Sequence, residues 1–169
     1  MDRRSCVRLA VGGTMMGLGV PAWANAPPAG RPVLRVGRPS ATGGAPELTL
    51  FTDAQLSAMP QTAIMTRTPW YERARRFTGP LVSQVLQAAG AQGRVVKATA
   101  LNDYSVEIPM ADITDHGVVL ARLLDDQPMP VRDRGPLFVI YPFDDKPALR
   151  TPVHFARCIW QLRSLDVLP

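Results

Sequence analysis

The chain has 169 residues, 46% of them hydrophobic and 20% charged, which is the size of one domain with a core of its own and unlike the composition of a disordered chain. Its 17 prolines disfavour a helical bundle, because proline lacks the amide that an interior helical turn needs. The formal charge of +5 does not mark a nucleic-acid binder: three arginines fall in the first eight residues, and the others are scattered without a basic helix or an aromatic–basic platform.

Arg3, Arg4 and Arg8 precede an apolar run over 9–20, and Pro21-Ala22-Trp23-Ala24-Asn25-Ala26 follows. That order predicts a secretory signal over residues 1–26, cut after Ala24 or Ala26. The apolar run is too short to span a bilayer, so the expected product is periplasmic with no stable membrane insertion. Arg3-Arg4-Ser5-Cys6-Val7-Arg8 loosely matches a twin-arginine signal, which leaves the export route open. Cys6 leaves with the leader. Only Cys158 remains in the mature chain, so no internal disulfide can form.

Residues 27–46 read as a Pro/Gly/Ala tether that includes a first strand at Val33-Leu34-Arg35-Val36. The domain proper is expected over 47–169. A strand over 47–51 leads into Thr52, whose spacing to Gln55 makes a capping box for a short helix over 53–59 that stops at Pro60. Residues 62–66 return to an extended form. Pro80 suits the first turn of a helix with Leu81, Val82, Val85, Leu86 and Ala89 on one face, and Gly90 is placed to end it in a left-handed conformation.

Strands over 94–101 and 104–108 flank Asn102-Asp103, a pair that tolerates the positive φ of a tight hairpin. An apolar run over 118–124 stops at Asp125-Asp126-Gln127-Pro128. Leu137-Phe138-Val139-Ile140-Tyr141, between Gly135-Pro136 and Pro142, predicts a buried central strand. A last strand is expected over 159–167, with Cys158 just ahead of it. Strands outnumber helices, so the expected class is α+β: a compact, β-rich mixed domain.

The ordered set Phe77-Thr78-Gly79-Pro80-Leu81, Ala100-Leu101-Asn102-Asp103-Tyr104, Ile108-Pro109, Leu124-Asp125-Asp126-Gln127-Pro128, Gly135-Pro136-Leu137 and Trp160-Gln161-Leu162 resembles the oxidoreductase molybdopterin-binding domain family of sulfite-oxidase type, in its small secreted bacterial form. The resemblance implies a molybdopterin cofactor. Catalytic members of the family hold molybdenum through a cysteine thiolate shortly before the first Gly-Pro-Leu, a soft donor suited to that metal. Here residues 65–70 contain no cysteine, and Cys158 lies too far along the chain to take its place. Catalytic members often carry a basic residue just after the second Gly-Pro-Leu, where this chain has Phe138.

The resemblance places Arg67, Arg73, Arg75 and Arg76 around the cofactor position, where their forks can bind a phosphate or another anion, or can simply be solvated. Trp70 and Tyr71 either line a pocket mouth or plug the core. His116 and His154 are far apart in sequence and read as lone residues without metal-ligand spacing to Cys158. Asp125-Asp126 and Asp144-Asp145 read as solvated turns beside proline, with acid–base or calcium chemistry as the sharper alternative. The expected function is a domain that keeps the scaffold without the molybdenum thiolate and binds or senses an anionic ligand or a partner protein. The alternative is a working molybdopterin-dependent oxidoreductase that passes electrons to a periplasmic or membrane partner.

Overall fold

The computed structural model describes residues 30–40 and 44–169. The expected leader over 1–26 lies outside the described residues. Strand β1 (Pro32–Arg38) and β2 (Glu47–Thr52) form an antiparallel pair. Thr52 caps α1 (Asp53–Ala58) as its spacing predicts: its Oγ1 accepts the Gln55 amide at 3.2 Å, and the Gln55 side chain accepts the Thr52 amide at 2.9 Å. A hairpin of β3 (Thr62–Thr68) and β4 (Tyr71–Gly79) follows, then α2 (Val82–Ala88), β5 (Val95–Ala100) and β6 (Ser105–Pro109). The rest comprises α3 (Met110–His116), β7 (Val119–Ala121), β8 (Leu123–Leu124), β9 (Gln127–Pro128), β10 (Phe138–Ile140), α4 (Pro152–Arg157) and β11 (Leu162–Leu168).

The strands make three sheets, in the orders β2-β1-β11-β5-β6, β3-β4-β8-β9 and β7-β10. In the largest, β1 and β11 run parallel and every other pair is antiparallel. β1 therefore belongs to the main sheet, and α+β with a predominance of strand is the observed class. The run 137–141 is fully buried, as its composition predicts. It is not the centre of the large sheet, however; β11 holds that place. Two prolines limit β10 to three residues, because proline cannot donate to a ladder; it pairs with β7 and, through Val139 alone, with Ile159.

The small sheet joins the other two. Leu120 N–H donates to Pro80 O at 2.8 Å and Arg122 N–H to Thr78 O at 2.9 Å, while Leu162 N–H donates to Leu137 O at 3.0 Å. The Phe-Thr-Gly-Pro turn depends on that proximity, since a Cβ on Gly79 would stand 1.9 Å from the Leu120 carbonyl oxygen. The bond from Leu120 also holds Pro80 outside the helix. α2 thus starts at Val82, two residues later than proline placement suggests, with Gln84 Oε1 accepting the Leu81 amide at 3.1 Å. Gly90 ends it with φ of 63°, and Asp103 turns the β5–β6 hairpin with φ of 65°, both as the sequence predicts.

Candidate functional site: an aromatic cleft beside two arginines

Two hollows flank one aromatic cluster. Trp70 follows the end of β3, where its amide donates to Thr68 Oγ1 at 3.4 Å. Its ring meets Phe138 of β10 at 5.8 Å, Phe155 of α4 at 6.2 Å and Trp160 at 5.5 Å. Trp70, Phe155 and Trp160 make one wall, backed by the buried ring of Phe138. In front of it lies a cleft of about 520 Å³, lined chiefly by Trp70, Trp160, Phe155, Tyr104, Asn102 and Cys158. Among the described residues, no lysine, arginine or histidine lines it. The hairpin supplies the polar edge, with Asn102 Oδ1 accepting the Tyr104 amide at 3.2 Å.

The second hollow, about 360 Å³, is more polar than the cleft and is lined by Tyr71, Arg75, Gln127, Asp133 and Arg134 among others. The Arg75 and Arg134 guanidinium groups sit over the Tyr71 ring at 5.1 and 4.9 Å. Arg134 also lies 5.6 Å from the Trp160 ring, so it stands between the two hollows. Cations held over aromatic faces are attracted by the ring quadrupole. Arg134 has no ion pair with a carboxylate among the described residues.

The four arginines expected around the cofactor position divide between two faces of the β3–β4 hairpin. Side chains alternate along a strand, so Arg73 and Arg75 share a face with Tyr71 and Phe77, while Arg76 points the other way opposite Met65. Arg67, exposed between buried Thr66 and Thr68, alternates to the outer face of β3. Arg75 Nε donates to Asp125 at 2.5 Å and Arg76 Nη1 to Asp126 at 3.3 Å. The Asp125 carboxyl is held below the ordinary carboxylate range by the Arg76 backbone amide, with Arg75 adding to the effect against the opposing cost of burial. These pairs staple β4 to the turn after β8. Of the four, only Arg75 lines either hollow. Trp70 lines the aromatic cleft and Tyr71 the polar hollow.

Sequence reading missed Arg134. The resemblance places a basic residue just after Gly135-Pro136-Leu137, where Phe138 stands; the cation stands immediately before that motif. It also put Cys158 away from any site. The structure corrects this: Cys158 caps the end of α4 and lines the aromatic cleft, because the bonds between Val139 and Ile159 fold the chain back against β10. Cys158 is 4% exposed, and burial pushes its thiol up to about 12.

The two histidines are not lone residues either. Their rings approach to 6.1 Å, and Asp112 lies beside both, its side chain 13% exposed. Asp112 Oδ2 accepts from Arg157 Nη1 at 2.7 Å and from the Tyr141 hydroxyl at 3.0 Å. Of the acidic pairs read as solvated turns, Asp125 and Asp126 are exposed, as is Asp145, but Asp144 is tied inward through Thr66 and the Arg67 amide.

With this geometry in place, comparisons with known proteins identify the architecture. The chain is similar in fold to the sulfane dehydrogenase SoxCD from Paracoccus pantotrophus, with a TM-score of 0.56 and 16% sequence identity over 79% of this chain. It spans 37% of that protein's chain. The family model for the oxidoreductase molybdopterin binding domain matches residues 49–143, and the chain belongs to that family. No curated protein matches its sequence.

The family suggests molybdopterin, and the residues can be tested against it. A protein-held molybdenum calls for an accessible soft thiolate. Positions 65–70 offer none, and the Cys158 thiol is shut in and held in its protonated form by burial. Among the described residues, the cleft lining also offers no cation for the pterin phosphate. The donor set does not fit a thiolate-held molybdenum.

Proposed function

We propose that this domain is an exported, periplasmic member of the molybdopterin-domain family that has kept the scaffold and serves as a binding or sensing module. Its ligand is an anion carrying a planar or apolar group, presented free or by a partner protein. The observation that supports this reading is the wall of Trp70, Trp160 and Phe155 with Arg134 beside it. An apolar body fills the cleft, and the unpaired guanidinium takes the charge through forked hydrogen bonds. The exposed side chains of Leu101 and Tyr104, on the hairpin at the cleft's edge, favour a partner protein as the carrier of that group.

The deciding experiment is metal and pterin analysis of the protein purified from a host that makes the cofactor. The expected result is no stoichiometric molybdenum and no pterin fluorescence. Molybdenum at one per chain would overturn the reading in favour of a working oxidoreductase.

A further inference from the structure

Asp112 and His116 sit four residues apart on α3, one turn of helix, so both side chains emerge on the same side. His154, on α4, faces them. One donor atom from each residue lies within 4.8 Å of the other two. We propose that Asp112, His116 and His154 form a binding site for a zinc-class divalent cation, separate from the aromatic cleft.

Four observations carry the assignment. The donor set, two imidazoles and a carboxylate, is one that suits zinc and leaves one position of a tetrahedral ion open. The His154 Nδ1 atom is 2.8 Å from Thr151 Oγ1. With Nδ1–H donating there, the lone pair of Nε2 is free and directed at Asp112, the kind of outer partner that fixes the tautomer of a ligating histidine. His154 Nε2 stands 3.9 Å from Asp112 Oδ2, too far for a hydrogen bond. Ligand atoms about 2.0–2.1 Å from one tetrahedral ion lie about 3.3 Å apart, so closing the set takes about an ångström of side-chain rotation. Finally, the His116 side chain makes no hydrogen bond to any described residue, and its ring faces that of His154.

The cations around the site set its character. Arg157 donates to Asp112 Oδ2 at 2.7 Å, Tyr141 donates to the same oxygen at 3.0 Å, and Lys146 Nζ is held by the Asp115 carbonyl at 2.7 Å. Arg157 and Tyr141 fix the carboxylate through Oδ2, which is also the oxygen 3.9 Å from His154 Nε2, so a metal bound there shares that oxygen with them. With Arg157 already balancing Asp112, a bound dication carries uncompensated charge, and the open position takes an anion such as chloride or hydroxide. Loading would tie α3 to α4, and α4 carries Phe155 and Cys158 into the cleft wall.

The test is calorimetric titration of the chelator-treated mature protein with zinc, paired with cobalt(II) absorption. The expected result is one zinc per chain and the intense visible bands of four-coordinate cobalt. His116→Gln and His154→Gln are each expected to lower zinc affinity more than about tenfold, with unchanged far-UV circular dichroism. His116, at a helix end and with no side-chain hydrogen bond to a described residue, carries the test even if His154→Gln perturbs α4. Absence of one-to-one binding overturns the site, and so does equal affinity in the wild type and the His116→Gln variant.

Discussion

The guanidinium of Arg134 lies 4.9 Å from the centre of the Tyr71 ring and 5.6 Å from that of Trp160, so one cation touches the lining of both hollows. A ligand with an apolar body in the cleft and an acidic group would meet it. Arg134→Gln is expected to weaken quenching of tryptophan emission by 4-nitrobenzoate about tenfold, the scale of one charge-assisted hydrogen bond. The uncharged isostere 4-nitrobenzamide should bind both proteins alike. Equal loss for both probes would mean that Arg134 acts through packing alone.

Gly79 is set by the approach of β4 to β7, since an added Cβ would fall 1.9 Å from the Leu120 carbonyl oxygen. Backbone on both sides leaves little room to yield. Gly79→Ala is expected to cost about 3 kcal/mol, at the upper end for overpacking, measured as a lower midpoint in urea with an unchanged slope.

Asp144 links stability to acid. Burial alone would raise its carboxyl, but the Arg67 amide at 3.1 Å and the paired Arg150 outweigh burial and hold it below the ordinary value. A carboxyl lowered on folding gives stability that is present above the unfolded-state value near 3.8 and is lost as pH falls through the lower folded-state value. Asp144→Asn is expected to lose about 1–2 kcal/mol at neutral pH and to show a shallower further loss on acidification to pH 3. Denaturation curves across that range check both.

Local chemistry that acts within a few residues was legible in the sequence. The Thr52–Gln55 box, the left-handed Gly90 and the Asn102-Asp103 turn each follow from neighbours in the chain, and each is found. The family resemblance also held, because ordered motifs survive where no single block is specific. Four features were hidden. Helix α3 buries only Ile113, so its apolar periodicity is weak, although Asp112 and His116 at helical spacing were a usable metal signal. Helix α4 buries none of its residues fully, yet Thr151-Pro152 is a plain start signal. The pairing of β10 with β7 rather than with the large sheet, and the return of Cys158 to the cleft, depend on contacts between distant segments, which periodicity cannot report.

Cys158 offers the last check on the chemistry of the cleft. Burial raises its thiol from 9.0 to about 12, and the thiolate is the reactive form. Three pKa units reduce the thiolate fraction near pH 8 about a thousandfold relative to an exposed cysteine. Labelling by a disulfide reagent is therefore expected to be about a thousandfold slower in the folded protein than in urea, with further slowing from the closed wall of Trp70 and Phe155. Raised above its unfolded value, this thiol also withdraws stability as pH climbs past 9, because the unfolded chain then releases a proton that the folded one keeps. Fast labelling of the folded protein at pH 8 would place an accessible thiolate in the cleft and return it to redox or metal-ligand chemistry.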